Sequence, residues 1–255
     1  MTSLGWCMGI DHAEELKTIG YDYIECMLAP FMQESEDAFK KSLQRYLDSP
    51  LPVEAWNVLF PGDLRLVGPD VQPDRVHSYV SKAVETVARI GSSIIVFGSG
   101  RSRNVPDGWA RERAEEQLLE LLDKMADACS GTGVRIAIEP LNRKESNIIN
   151  SVAEGVYFAR AINREPIRVL ADFYHMDEEQ EPLETITENR DWLAHIHVAD
   201  TGRLAPGTGQ YPYESFMAQL KAAGYNGRIS AECTLRDKER ELPASLEFLR
   251  RQCNA

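Results

Sequence analysis

Strand-like runs and helical patterns alternate along the whole chain, and this alternation restricts the folds open to it. Eight runs rich in β-branched, aromatic and other apolar residues read as strands: 3–8, 21–27, 53–60, 93–98, 134–142, 167–172, 193–199 and 228–233. Residues 75–90 place Val76, Tyr79, Val80, Ala83, Val84 and Val87 at the i, i+3, i+4 spacing of an amphipathic helix. Residues 110–130 do the same with Leu118, Leu121, Leu122, Met125 and Cys129. Further helices are expected over 38–47, 213–223 and 243–250, and capping boxes at Asp11-His-Ala-Glu14 and Ser151-Val-Ala-Glu154 start two more, ending near Gly20 and Asn163. The run 93–98 (SIIVFG) is continuously apolar, as a strand covered on both faces should be. Eight strands alternating with helices in 255 residues predict an α/β fold, a (β/α)₈ (TIM) barrel forming one domain over residues 1–255. A doubly wound open sheet is the alternative, but no G-x-G-x-x-G follows the first strand.

Bulk properties exclude several partners. A net charge of -12 argues against a nucleic-acid binder, whose affinity comes from clustered Lys and Arg. No apolar run approaches the roughly 20 residues that span a bilayer. Cys7, Cys26, Cys129, Cys233 and Cys253 are odd in number, scattered and never spaced C-x-x-C. That pattern predicts reduced thiols rather than a disulfide frame or thiolate zinc site. The start, Met1-Thr-Ser-Leu-Gly-Trp, lacks a basic and apolar leader, so a cytoplasmic location is expected. The oligomeric state stays open, a homo-oligomer included.

The fifth strand ends in a carboxylate, Glu139, which is costly to bury unpaired and should face water or a cation. Asp172, His197 and Glu232 stand at or near the ends of strands six, seven and eight, 33, 25 and 35 residues apart in turn, each about one βα unit. Flat strands lie about 4.8 Å apart, so four would span about 14 Å, too wide for one ion. Barrel closure makes inward side chains converge, so these four can meet at the C-terminal mouth. Three carboxylates and one imidazole suit Mn²⁺, Mg²⁺ or Co²⁺ better than structural zinc, with Mn²⁺ favoured. Taken singly, each acid could be solvated and the histidine could be a core residue; their joint placement carries the reading. His195 shares parity with His197 and points inward one layer deeper, as barrel filling or support for a ligand. His12 and His77 fall on helix starts or faces and are expected at the surface.

The segments Ile138-Glu139-Pro140-Leu141-Asn142-Arg143-Lys144-Glu145, Asp172-Phe173-Tyr174-His175-Met176, His197-Val-Ala-Asp-Thr-Gly-Arg203 with Pro206-Gly207-Thr208-Gly209, and Ser230-Ala231-Glu232 resemble the xylose-isomerase-like sugar isomerase/epimerase barrels. Within that group the likeness is greatest to ketose 3-epimerases of the tagatose/psicose type. The resemblance implies that Glu139, Asp172, His197 and Glu232 bind the metal. It implies that Glu139 and Glu232 also exchange protons with the substrate carbon, and that Glu145, His175 and Arg203 hold the substrate near its carbonyl. Read without it, Glu145 and Arg203 are hydrated loop charges and His175 a turn residue. Two departures point away from a free ketohexose: Asp200 stands where many such epimerases carry Glu, and Cys233-Thr234 follows Glu232 where an aromatic often lines the pocket.

The chemistry follows from these parts. A proton beside a ketone becomes removable when a divalent ion stabilises the cis-enediolate formed on its loss. Two glutamates on opposite faces remove one proton and return another, inverting the centre. The expected substrate is a small ketose or keto-sugar derivative. Alternatives on the same barrel are a lyase or dehydratase of a keto-cyclitol, an abasic-site endonuclease, which five histidines and the acidic charge disfavour, and a non-catalytic sugar binder. The 97–104 loop could carry Arg101 and Arg103 toward a phosphate or second sugar, or be a solvated basic loop. Pro206-Gly207-Thr208-Gly209 lies where barrels often bind phosphate, though Gly-rich turns are common. Trp6 and Trp109 could stack on a sugar or pack in the core, and Trp109 is taken as a substrate-binding candidate.

Overall fold

The computed structural model describes residues 2–254. Eight parallel strands close into a barrel in sequence order: β1 Ser3–Cys7, β2 Tyr23–Met27, β3 Val53–Asn57, β4 Ile94–Phe97, β5 Arg135–Ile138, β6 Ile167–Asp172, β7 Leu193–Val198 and β8 Arg228–Ala231. The ring is sealed where β1 meets β8, with Ser3 opposite Arg228 and Trp6 opposite Ala231. The expected barrel is therefore observed, and the open sheet is not. Most strands are shorter than the apolar runs that announce them. β3 stops at Asn57 because Val58 adopts the left-handed region, with φ +49°. For a β-branched residue that conformation costs on the order of 1–3 kcal/mol. It turns the chain outward, and the Val58 carbonyl then accepts from the Ala29 N–H at 2.9 Å.

The helices pack around the barrel as their patterns require. Pro73–Ile90 begins with a proline in its first turn, where the missing N–H is not needed, and ends at Gly91 with φ +89°. It buries Val76, Val80, Val84 and Val87, each worth about 1.5–3 kcal/mol of removal from water. At Val152–Ile162 the expected cap is present, Ser151 Oγ accepting from the Glu154 N–H at 3.1 Å. At the first helix it is absent. A 3₁₀ turn, Ile10–His12, precedes Ala13–Ile19, and neither turn nor helix has a side-chain cap. The last helix runs Lys238–Asn254, so Pro243 lies inside it rather than at its start. The Glu241 carboxylate accepts from the Arg236 and Asp237 N–H groups just ahead of that helix.

Inside the barrel the lower layers are filled. Tyr23, Ala55, Ile94, Val96, Ala137 and Leu170 form a buried cluster. Gly5 makes this packing feasible, since a Cβ there would lie 2.4 Å from the Tyr23 ring. At this level the barrel interior is a packed core of side chains. All five cysteines are free thiols. Among the described residues no helix is long and apolar enough to cross a membrane.

Candidate active site and metal centre

Strands β5 to β8 deliver their terminal groups to one point at the mouth. Glu139 follows β5, Asp172 ends β6, His197 lies near the end of β7, and Glu232 follows β8. One ligand atom from each lies within 4.8 Å of the others. His197 Nδ1 is 3.2 Å from Glu139 Oε1, and 3.8 Å from both Asp172 Oδ2 and Glu232 Oε2. Glu139, Asp172 and His197 are buried, while Glu232 is partly open to solvent.

Each carboxylate is held by partners of its own. Asp172 caps the short helix Phe173–Glu178: its Oδ1 accepts from the Tyr174 and His175 N–H groups at 2.7 and 3.2 Å, leaving Oδ2 to the cluster. Glu232 Oε1 accepts from Asn57 Nδ2 at 2.8 Å, and its Oε2 from an Arg203 guanidinium nitrogen at 2.5 Å. Glu139 is placed through its backbone, whose carbonyl accepts from Arg103 at 2.8 Å. Gly98 leaves room for its side chain, because a Cβ at that position would lie 2.0 Å from Glu139 Oε2. Gly98→Ala is therefore expected to displace the carboxylate end of a flexible side chain while sparing the fold. Turnover should fall by about 100-fold, the scale of a 1 Å misplacement, with an unchanged melting curve. Unchanged turnover would show that the placement of the Glu139 carboxylate does not govern the rate.

Below this cluster lies a group that the sequence reading missed. Glu25 is fully buried on β2. Its Oε1 accepts from His197 Nε2 at 2.9 Å, and its Oε2 from His195 Nε2 at 2.7 Å and Ser230 Oγ at 2.6 Å. Burial alone would raise the Glu25 pKa, but the two imidazoles reverse this and hold it well below the ordinary carboxylate range. Burial would likewise depress His197, yet the charge of Glu25, Cys7 and Glu232 drives it well above the usual histidine value. Cys7, Glu25 and His197 also cluster tightly enough to ligate an ion. The Glu25 and His197 atoms are already bonded to each other, and burial and then Glu25 push the Cys7 thiol upward, so a thiolate is disfavoured there.

The upper cluster fits a cation. With Nε2–H committed to Glu25, the His197 Nδ1 lone pair faces three carboxylate oxygens, so a proton or metal ion must stand between them. Burial, and then the neighbouring Glu232 and Asp172, raise the Glu139 pKa, the signature of anionic oxygens crowded in a site short of positive charge. Oxygen-rich donors with one imidazole suit a hard or borderline divalent ion.

Of the substrate candidates, Glu145, Arg203 and His175 stand beside the cluster and Trp109 has no hydrogen bond to it. Arg203 bridges Glu145, at 3.1 and 3.3 Å, and Glu232, and lies over the Tyr174 ring at 4.9 Å. Burial would lower its pKa, but Glu232, Asp172 and Glu145 hold it above the ordinary guanidinium value. His175 is buried, and its Nδ1 accepts from the Asn142 backbone N–H at 3.1 Å. Neutral His175 therefore carries its proton on Nε2, an atom with no hydrogen-bond partner, 3.9 Å from Asp172 Oδ2. Trp109 is only partly buried; Arg113 lies over its ring and its Nε1–H has no partner. No hydrogen bond joins it to the cluster.

Open alternatives elsewhere now have an outcome. Trp6 is core, packed edge-on against Tyr21. Arg103 is neither a phosphate ligand nor a solvated charge. It is fully buried in the helical turn Gly100–Arg103, donating to the carbonyls of Phe97, Glu139 and Ile149, and burial pushes its pKa down to about 10. Arg103→Ala should cost about 3–5 kcal/mol, since it opens a cavity and strands three carbonyls; chemical denaturation would measure this. In the 206–209 turn, Asp200 accepts from the Gly207 and Tyr211 N–H groups at 2.9 and 3.1 Å. A buried carboxylate thus occupies donors that a phosphate would need.

A closed eight-stranded parallel barrel with acids and a histidine gathered at its strand ends puts the chain in the class of (β/α)₈ barrels. The family model of the xylose isomerase-like TIM barrel matches residues 13–252, and the chain belongs to that family. It is 33% identical over 180 residues to the 3-dehydro-D-guloside 4-epimerase of Escherichia coli K12, covering 67% of this chain and 69% of that protein. It is 34% identical over 122 residues to the D-psicose 3-epimerase of Ruminiclostridium cellulolyticum, a match spanning 48% of this chain but only 40% of that enzyme. The crystal structure of D-psicose 3-epimerase with D-tagatose from Clostridium cellulolyticum H10 superposes with a TM-score of 0.87 at 19% identity, covering 99% of each chain. These relatives are named as epimerases, enzymes of the isomerase class.

Proposed function

We propose that the protein is a divalent-metal-dependent epimerase of a keto sugar or keto-sugar derivative. The observation that carries this reading is the approach of Glu139 and Glu232 to one point from two different strands, each with its own tether. Two carboxylates reaching a carbon from different sides can remove a proton and return one to the other face. Glu139, Asp172, His197 and Glu232 would hold the ion, Mn²⁺ by preference, with Mg²⁺ and Co²⁺ as alternatives. When bound, it supplies Lewis-acid stabilisation to oxygen charge that develops as the proton leaves.

The chain's own residues do the rest. Arg203, paired to Glu232 and Glu145, and the free Nε2–H of His175 donate to the substrate's oxygens near the carbonyl. Glu145 accepts from a hydroxyl as well as orienting Arg203. Trp109, its ring covered by Arg113, would contribute apolar surface rather than a hydrogen bond. Arg103 and the Gly207 and Tyr211 N–H groups are committed internally, which favours an unphosphorylated substrate. A keto-glycoside fits this reading, consistent with the guloside epimerase that the chain resembles over two thirds of each length.

The test is incubation with Mn²⁺ and a panel of ketoses and keto-glycosides in D₂O. Deuterium should enter the carbon beside the carbonyl without change of skeleton. Loss of water would mark a dehydratase, a migrated carbonyl an isomerase, and no exchange across the panel would sink the reading.

A further inference from the structure

We propose that Glu25 is a positioning residue: it locks the His197 ring so that Nδ1 alone is presented to the ion. This rests on the metal reading above and deepens it.

Every proton direction in the network is forced. Ser230 has one hydroxyl hydrogen, and Oγ lies 2.6 Å from Glu25 Oε2, so that hydrogen goes to the carboxylate. Tyr23 must then donate its own to Ser230 Oγ, 2.7 Å away. His195 and His197 face the same carboxylate through Nε2, at 2.7 and 2.9 Å, and both must donate. Glu25 thus receives three donors from β7 and β8 in a fully buried place, which offsets the large cost of removing a carboxylate from water. Filling the barrel axis does not call for a charge, and Leu170 and Val96 do so in the same interior without one. What a carboxylate adds is a fixed tautomer and a more basic ring. With Nε2–H held from below, the ring cannot turn its other edge to the mouth.

Glu25→Gln tests this while keeping the shape. A Gln amide presents one oxygen and one NH₂, so it cannot accept from both imidazoles in the same way. Metal-free protein titrated with Mn²⁺ and followed by electron paramagnetic resonance should bind it about 10–100-fold more weakly in the variant, while circular dichroism is unchanged. Ser230→Ala, which removes one donor to Glu25, should weaken binding less. If Glu25→Gln fails to fold, the wild type decides alone: in the Zn²⁺-loaded protein, long-range ¹H–¹⁵N spectra should show His197 protonated at Nε2. Protonation at Nδ1, or Mn²⁺ affinity untouched by Glu25→Gln, overturns the assignment of Glu25 and leaves the metal site standing. A wild type that takes up no Mn²⁺ overturns the metal site and the role of Glu25 together.

Discussion

Glu139→Gln and Glu232→Gln should each lower the rate of epimerisation by about 10²- to 10⁴-fold, the contribution of one positioned acid–base group. Both substitutions preserve volume, so the fold should persist. A Gln at position 232 keeps one oxygen to accept from Arg203, while its NH₂ replaces the oxygen that accepted from Asn57, whose unpaired Oδ1 can turn to accept it. The informative measurement is directional. If one carboxylate serves each face of the substrate carbon, a variant lacking one of them should still exchange deuterium from one epimer and lose it from the other. The two variants should show opposite preferences. Loss of exchange from both epimers in one variant, with full exchange in the other, would reduce the chemistry to a single base. The mirror-image carbon could not then be made by this route.

Stripping the ion should have the second largest effect. Chelation is expected to bring turnover to background and to lower the melting temperature, because the carboxylates of Glu139, Asp172 and Glu232 would again face one another around His197. A ligand present at 100 times its Kd stabilises by about 2.7 kcal/mol, which for a chain of this size amounts to roughly 5–10 °C. Adding back Mn²⁺, Mg²⁺ and Co²⁺ separately would rank them by the recovery of both quantities. Activity that survives exhaustive chelation would reject the role of the cation.

The barrel was readable because each βα unit carries its own pattern and none depends on distant partners for recognition. β6 coincides with its apolar run, Ile167–Asp172, whereas β8 ends at Ala231, two residues before its run does. Apolar character continues past the last ladder hydrogen bond wherever a loop stays buried. The site was legible where an acid or imidazole stood at the tip of a strand. It was not legible one layer down, where Glu25 sits within YIECM and looks like any alternating acid. The available signal was parity: Tyr23, Glu25 and Met27 point to one side of β2, and Ala55 and Asn57 to one side of β3. A carboxylate on an inward position of a barrel strand must find donors, and His195 and Ser230 provide them. Arg103 escaped because its loop is polar and punctuated, and the four-residue turn that buries it has too few residues to show a period.

The ring of Tyr23, fitted against Gly5 and packed in one buried cluster with Ala137 and Leu170, reaches Glu25 through the Ser230 hydroxyl. If the proposed function holds, both epimers share the one cluster at the strand ends, and the outgoing one occupies it before the next molecule can. Each epimer should then act as a simple competitor of the other, and accumulating product should slow the enzyme well before equilibrium is reached.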